Sequence, residues 1–303
     1  MLTLKPGEIF AGCRIVDVCG HGGFGTVYLA EDAVGRRIAI KIVNAVDKEA
    51  ELRGIRLYME NAPDSPYLLP ISHVGIERDE LYYLMDAADT LDPKSPVYIA
   101  DTLGRRLKLR GRLVPDAALE ITRKLALAVE ALHRAKLIHR DIKPDNIIFV
   151  DGEPRLSDLG LLRPSECSAT LAGTLGFLPP EILSGADEAN NSPSGDVYAL
   201  GKVFYCAFTG ENPGRFPHLP PDLGAAACRK LLPILLKACN ENPRRRYADI
   251  GEFRRALPEK LPGSGALERF GEKFRMWRLM HSVMYRVIAV TILALVLDRK
   301  SVV

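Results

Sequence analysis

Residues 139–146 read His-Arg-Asp-Ile-Lys-Pro-Asp-Asn. Three of these side chains form a compact set for phosphoryl transfer. Asp141 can accept the proton of an attacking hydroxyl. Lys143 can neutralise charge on the moving phosphoryl group, and Asn146 can hold a metal ion. Such a set works only if other parts of the chain bring a nucleotide to it. Those parts must occur in a workable order along the sequence.

With this octet the chain resembles the eukaryotic-type (Hanks-type) protein kinases, of the compact bacterial kind. His-Arg-Asp-x-Lys-Pro-x-Asn is similar to the form in their serine/threonine members, with His139 and Arg140 in structural roles. The segment Gly20-His-Gly22-Gly23-Phe-Gly25-Thr-Val27 resembles the kinase glycine-rich loop. Glycines there let the backbone approach phosphates, with free N–H groups pointing inward. A dinucleotide-binding fingerprint would need a helix directly afterwards, whereas the pattern here continues as a strand. The resemblance sets Val27 against adenine.

Ile38-Ala39-Ile40-Lys41 resembles the strand that carries the phosphate-gripping lysine, which makes Lys41 the clamp. A helical glutamate is expected to pair with it. Glu51 is the choice, since Ile55 four residues on supplies an apolar neighbour, and Glu49 is the alternative. Leu81 to Ala88 resembles the strand and hinge that contact the base, with Met85 at the back of the pocket and Ala88 on the hinge. Ser157-Asp158-Leu159-Gly160 stands where the family has Asp-Phe-Gly. This implies Asp158 and Asn146 as Mg²⁺ ligands, and Leu159 keeps the apolar role of the Phe. Residues 173–181, Gly-Thr174 through Pro180-Glu181, resemble the end of the activation segment. Glu181 is expected to pair with Arg246, and Asp196 to hold the backbone of the catalytic loop. Ser165, Ser168 and Thr170 lie where a phosphate would reach Arg140. Thr174 resembles the family threonine that hydrogen-bonds the Asp141–Lys143 pair.

The elements that must position these residues show in the hydrophobic pattern. Residues 9–45 read as three strands around the glycine cluster, and 47–60 as a helix with Leu52, Ile55 and Tyr58 on one face. Leu68–Ile76 and Leu81–Met85 read as two more strands. Pro115–His133 has one apolar face, while 196–208 is apolar on nearly all sides and must be buried. Further helices are expected at 225–239 and 247–256. Residues 89–98 are an insertion relative to the usual family spacing. The expected organisation is a two-lobed α+β kinase domain over 9–257, with a small β-rich lobe over 9–87 and a larger, mainly helical lobe over 88–257. A linker over 258–267 and a tail over 268–303 follow.

Length and composition fit this reading. The chain has 303 residues, 47% of them hydrophobic and 26% charged, enough for a large core. A net charge of +3 gives no reason to expect nucleic acid as a partner. The six cysteines show no metal-ligand spacing and read as reduced thiols of a cytosolic protein. The N-terminus carries no apolar signal-peptide core. In the tail, Arg269, Lys273, Arg275, Arg278 and Arg286 lead into the uncharged, apolar-rich run 287–297. Extending that run back to Leu279 admits Arg286, which costs about 2.5–3.5 kcal/mol near the middle of a span. Three readings stand for 268–297: a membrane anchor with the kinase on the cytoplasmic side, a packed helix, or a partner-binding amphipathic helix. With so few residues after Leu297, no outer sensor domain is expected.

The resemblance implies an ATP-dependent serine/threonine protein kinase that uses ATP and Mg²⁺ and acts on protein substrates. A scaffold without turnover would show itself by loss of Lys41, Asp141, Asn146 or Asp158, and all four are present. A small-molecule phosphotransferase is disfavoured by Lys143 and the 173–181 segment.

Overall fold

The computed structural model describes residues 2–22, 25–44, 48–61, 63–95, 97–159, 162–164, 176–184 and 192–261. The chain divides into a compact unit, Met1–Glu259, and a second unit, Lys260–Val303. Of the second only Lys260 and Leu261 are described, so the tail expected to reach a membrane lies outside the described residues. Among the described residues, no helix is long and apolar enough to cross a membrane.

The first half of the large unit is a six-stranded antiparallel sheet: β1 (Ile9–Phe10), β2 (Cys13–Gly22), β3 (Gly25–Glu31), β4 (Arg37–Val43), β5 (Ile71–Glu77) and β6 (Glu80–Asp86). The spatial order is β1-β2-β3-β4-β6-β5, with helix α1 (Lys48–Asn61) following β4. Strand β4 explains the layering. Successive side chains on a strand point to opposite faces. Ile38, Ile40 and Ile42 therefore join Phe10, Ile15 and Tyr28 in one core cluster. Ala39 and Val43 join Ile55 of α1 and Tyr83 of β6 in another. Residues Ile38–Val43 are all buried because both faces are covered. Leu4 seals the first face, with its N–H on the Tyr28 hydroxyl at 3.2 Å. Lys41 has the parity of Ala39 and Val43, so it must point toward α1.

The second half is built on α2 (Leu103–Arg110), α3 (Pro115–Arg134), α4 (Pro180–Leu183), α5 (Pro193–Thr209), α6 (Ala225–Ala238) and α7 (Ile250–Ala256). Four short strands complete it: β7 (Leu137–Ile138), β8 (Ile147–Val150), β9 (Glu153–Leu156) and β10 (Arg163–Pro164). Every residue of α5 from Asp196 to Thr209 is buried, as an all-round apolar helix requires. It ends at Gly210, which adopts the left-handed conformation that favours glycine (φ 76°). Helix α3 starts with proline in its first turn and lays Leu119, Leu125, Val129 and Leu132 into the core. The two-lobed α+β architecture is thus present.

Two expectations about elements need correction, and one helix goes beyond them. The strand expected over Leu68–Ile76 begins only at Ile71. Leu68 and Leu69 instead meet β9: the Leu69 N–H donates to the Leu156 carbonyl at 2.9 Å. Pro70, which has no N–H to give a ladder, separates the two pairings. The helix expected over 247–256 starts at Ile250, because Asp249 caps it. The Asp249 carboxylate accepts the Glu252 N–H at 2.7 Å, and the Glu252 carboxylate accepts the Ala248 N–H at 2.7 Å. The pair is a variant of the capping box, with the return bond made one residue before the cap. Helix α2 was not anticipated at all; Thr102 caps it by accepting the Arg105 N–H at 3.1 Å. All five described cysteines are free thiols, and Cys167 lies outside the described residues.

Candidate active site

A cavity of about 560 Å³ opens between the sheet and the helical half. Its roof is the β2–β3 turn. Gly20, Gly22, Gly25 and Val27 line it, while Gly23 and Phe24 lie outside the described residues. At Gly25 a side chain is excluded: φ is +145° and a Cβ would lie 2.1 Å from the Ile42 carbonyl oxygen. The β2–β3 ladder slips register between Val18 and Gly20, where β2 enters the glycine cluster. Ala39, Met85 and Ala88 line the side formed by β4 and the hinge, so these predicted residues share one wall.

Lys41 reaches this wall from β4, 5% exposed. Its Nζ lies 2.7 Å from Glu51 Oε1 and 2.5 Å from Asp158 Oδ1. Glu51 is only 1% exposed, held by the Tyr83 hydroxyl at 3.2 Å. Glu49, the alternative partner, is nearly fully exposed and pairs with Arg53. Burial alone would push the Lys41 pKa down. The Asp158 carboxylate, with Glu51 beside it, outweighs burial and holds the ammonium well above its ordinary range. Burial pushes the Glu51 pKa up against the pull of Lys41. For Asp158 burial also pushes upward, but Lys41 wins and keeps it an anion. One cation therefore sits between a buried carboxylate, Glu51, and a partly buried one, Asp158, and the Glu51 Oε2 has no hydrogen-bond partner among the described residues.

The octet forms the floor. Asp141 is 3% exposed, and its Oδ2 accepts from Lys143 Nζ at 2.6 Å and from Asn146 Nδ2 at 2.9 Å. The same Nδ2 donates to the Asp141 carbonyl at 2.9 Å, which fixes the amide's orientation. Lys143, Asn146 and Asp158 all line the cavity. Asn146 and Asp158 are coupled through Ser157, whose N–H and hydroxyl both donate to the Asn146 carbonyl at 2.9 Å. His139 is fully buried: Nε2 donates to the Ser157 carbonyl at 3.0 Å and Nδ1 accepts the Asp141 N–H at 3.3 Å. Those partners select the neutral Nε2–H tautomer.

Two non-glycine residues of the site have left-handed backbone, Arg140 (φ 72°) and Asp158 (φ 63°). Such conformations cost on the order of 1–3 kcal/mol and persist only where neighbours hold them. At Arg140 the holder is Asp196, 1% exposed. Its carboxylate accepts the N–H groups of His139 and Arg140, each at 2.9 Å. It also contacts His133 Nε2 at 2.8 Å. Burial would raise the Asp196 pKa, but the hydrogen bond from His133 outweighs it and the net shift is downward. Further out, Arg246 meets Glu181 through two contacts of 2.5 and 2.6 Å, and its side chain is fully buried. Leu159 is 2% exposed, a buried apolar plug. Ser165, Ser168, Thr170 and Thr174 lie outside the described residues.

A family model for the protein kinase domain matches residues 14–244. The chain belongs to the protein kinase family. Among similar proteins, the serine/threonine-protein kinase PknK of Mycobacterium tuberculosis is 32% identical over 215 residues, 68% of this chain but 18% of PknK. The serine/threonine-protein kinase PknF of the same species is 30% identical over 293 residues, 87% of this chain and 59% of PknF. The chain thus spans less than two thirds of the length of either. The crystal structure of the Mycobacterium tuberculosis PknI kinase domain matches with a TM-score of 0.62 at 24% identity. The match covers 84% of this chain and 98% of that one. At that identity the likeness speaks for the fold alone.

The sequence reading missed several lining residues of this cavity. Tyr98, Thr102, Arg105, Leu69 and Ile148 all face the cavity. Ile148 had a signal, since strand alternation from Asn146 puts it on the same face. Tyr98 lies in the 89–98 segment and Arg105 on the unanticipated α2. For those two, only three-dimensional placement reveals the role.

Proposed function

We propose that the chain is an ATP-dependent serine/threonine protein kinase that transfers the γ-phosphate of ATP, with Mg²⁺, to hydroxyl groups of protein substrates. The observation that carries this reading is the convergence on one cavity of the Glu51–Lys41–Asp158 ion triad and the Asp141–Lys143–Asn146 cluster. ATP and Mg²⁺ use is general in the family.

In this reading the glycine turn and Lys41 hold the nucleotide phosphates, with Lys41 fixed in place by Glu51. Ala39, Val27, Met85 and Ala88 enclose the base. The donor set fits a hard cation: an ionised Asp158 carboxylate, and an Asn146 amide whose nitrogen is committed to Asp141, which orients its oxygen for a metal. When bound there, Mg²⁺ supplies neutralisation of charge on the phosphate oxygens. Asp141 orients the attacking hydroxyl and takes its proton at a carboxylate oxygen. Lys143, 2.6 Å from that carboxylate, offsets charge at the transferring group. Positioning then provides most of the acceleration. Asp196 maintains the catalytic backbone, and the Glu181–Arg246 pair braces the segment that would receive the peptide.

The test is incubation of the full chain with γ-labelled ATP, Mg²⁺ and a generic acceptor such as casein. Label on serine or threonine in the acceptor or in the chain itself supports the proposal. Label only on a small-molecule alcohol, or none, would sink it.

A further inference from the structure

The 89–98 insertion and α2 supply a part of the cavity that the proposed chemistry leaves without a role. The insertion is stitched into the large lobe by its backbone. The Asp89 N–H donates to the Phe149 carbonyl at 2.7 Å, the Asp101 N–H to the Asp89 carbonyl at 2.8 Å, and the Phe149 N–H to the Asp101 carbonyl at 2.9 Å. The Asp89 carboxylate accepts the Gly152 N–H at 2.8 Å, at the β8–β9 turn. At its far end the Tyr98 hydroxyl donates to the hinge carbonyl of Ala88 at 2.9 Å.

Arg105 completes the arrangement. Its Nη1 donates to the Ala100 carbonyl, just past the insertion, at 2.8 Å. Its Nη2 donates to the Cys19 carbonyl at 2.9 Å. Cys19 belongs to β2 and directly precedes Gly20, so one guanidinium joins the large lobe to the strand that enters the glycine turn. Both acceptors are backbone carbonyls, and a guanidinium offers donors in a fixed fork suited to two such partners. Cys19, Tyr98 and Arg105 all line the cavity. A nucleotide leaving past the glycine turn must therefore pass a roof that is fastened down at this point.

We infer that Arg105, seated by the 89–98 insertion, is a positioning residue for nucleotide retention: it latches the strand leading into the glycine turn onto the large lobe. The inference rests on the nucleotide-binding part of the proposed function, and its readout does not require turnover. Motions of such roofs gate ligand release in many enzymes. Loss of a hydrogen bond from a charged donor is enough to change an equilibrium by about tenfold.

The experiment is stopped-flow release of a fluorescent ADP analogue from the full chain, chased with excess ATP, for wild type, Arg105→Ala, Arg105→Gln and Tyr98→Phe. Arg105→Ala is expected to release the analogue about tenfold faster, with a matching rise in KM for ATP and a smaller change in kcat. Arg105→Gln keeps a single amide donor and is expected to fall between the two. If Arg105→Ala does not fold, Arg105→Gln decides. Tyr98→Phe loosens only the platform and is expected to have the smallest effect. Wild-type release rates in both Arg105 variants would overturn the latch while leaving the kinase reading intact. A chain that binds the analogue yet transfers no phosphate would overturn the kinase activity, and the release rates would still decide the latch. A wild-type chain that binds no nucleotide would overturn both.

Discussion

Asp196 shows how one buried carboxylate can serve chemistry it never touches. It bonds the N–H groups of His139 and Arg140 and so holds the left-handed turn that delivers Asp141. Its pKa is lower in the folded chain than the ordinary value of about 3.9. In the acid window below that value the unfolded chain therefore binds more protons than the folded one. The stability it contributes is fully present above about pH 4 and is lost as pH falls through the folded pKa. Asp196→Asn is expected to cost about 1–3 kcal/mol at neutral pH. It should also flatten the loss of stability between about pH 4 and pH 3, read from urea midpoints. Equal acid slopes in variant and wild type would contradict this role. The residues of the octet could be found in the sequence because phosphate and metal chemistry dictates side-chain types at fixed short spacing. Tyr98 and Arg105 could not, since a tyrosine in a connecting segment and an arginine on a basic helix carry no such signature.

Among the elements, the β2–β3 hairpin shows which glycines are required and which are tolerated. At Gly25 a methyl group would run into the backbone of β4, whereas at Gly20 nothing lies within 4 Å of the Cβ position. Gly25→Ala is expected to destabilise the chain by about 2–4 kcal/mol and to weaken nucleotide binding. Gly20→Ala is expected to cost under about 1 kcal/mol. Comparable melting shifts for the two would contradict the close packing of β3 on β4. In the segment before Glu181, Arg140 beside Asp141 motivates a second expectation. Ser165, Ser168 or Thr170 becomes phosphorylated on treatment with ATP, and the phosphate pairs with Arg140. Phosphopeptide mapping checks it, and a fully active chain with all three unmodified would contradict it. Periodicity revealed the long helices and the strands with strict alternation. It failed at Leu68–Leu69, whose partner is β9 far along the chain, and at the short helix α2. Non-local pairing and side-chain capping decided those two cases, and a local pattern does not report them.

For the chain as a whole, the folded unit Met1–Glu259 and the basic, apolar tail make different demands. Five cationic residues before an apolar run contribute about 1 kcal/mol each at an anionic leaflet. The full chain is expected to sediment with membranes and a chain ending at Gly265 to stay in the supernatant. A full chain that remains in the high-speed supernatant without detergent would leave the tail as a packed or partner-binding helix. The central claim is that one cavity unites nucleotide binding with a catalytic cluster built on Asp141. It is tested most directly by measuring, on the same preparations, nucleotide affinity and γ-phosphate transfer for wild type and Asp141→Asn. Asp141 contacts the cavity through Lys143 and Asn146, so the variant is expected to keep nucleotide affinity within about threefold. Its transfer rate should fall by about 10²–10⁴. A variant that retains more than about a tenth of the wild-type rate, against the loss usual for an acid–base group, would contradict the account.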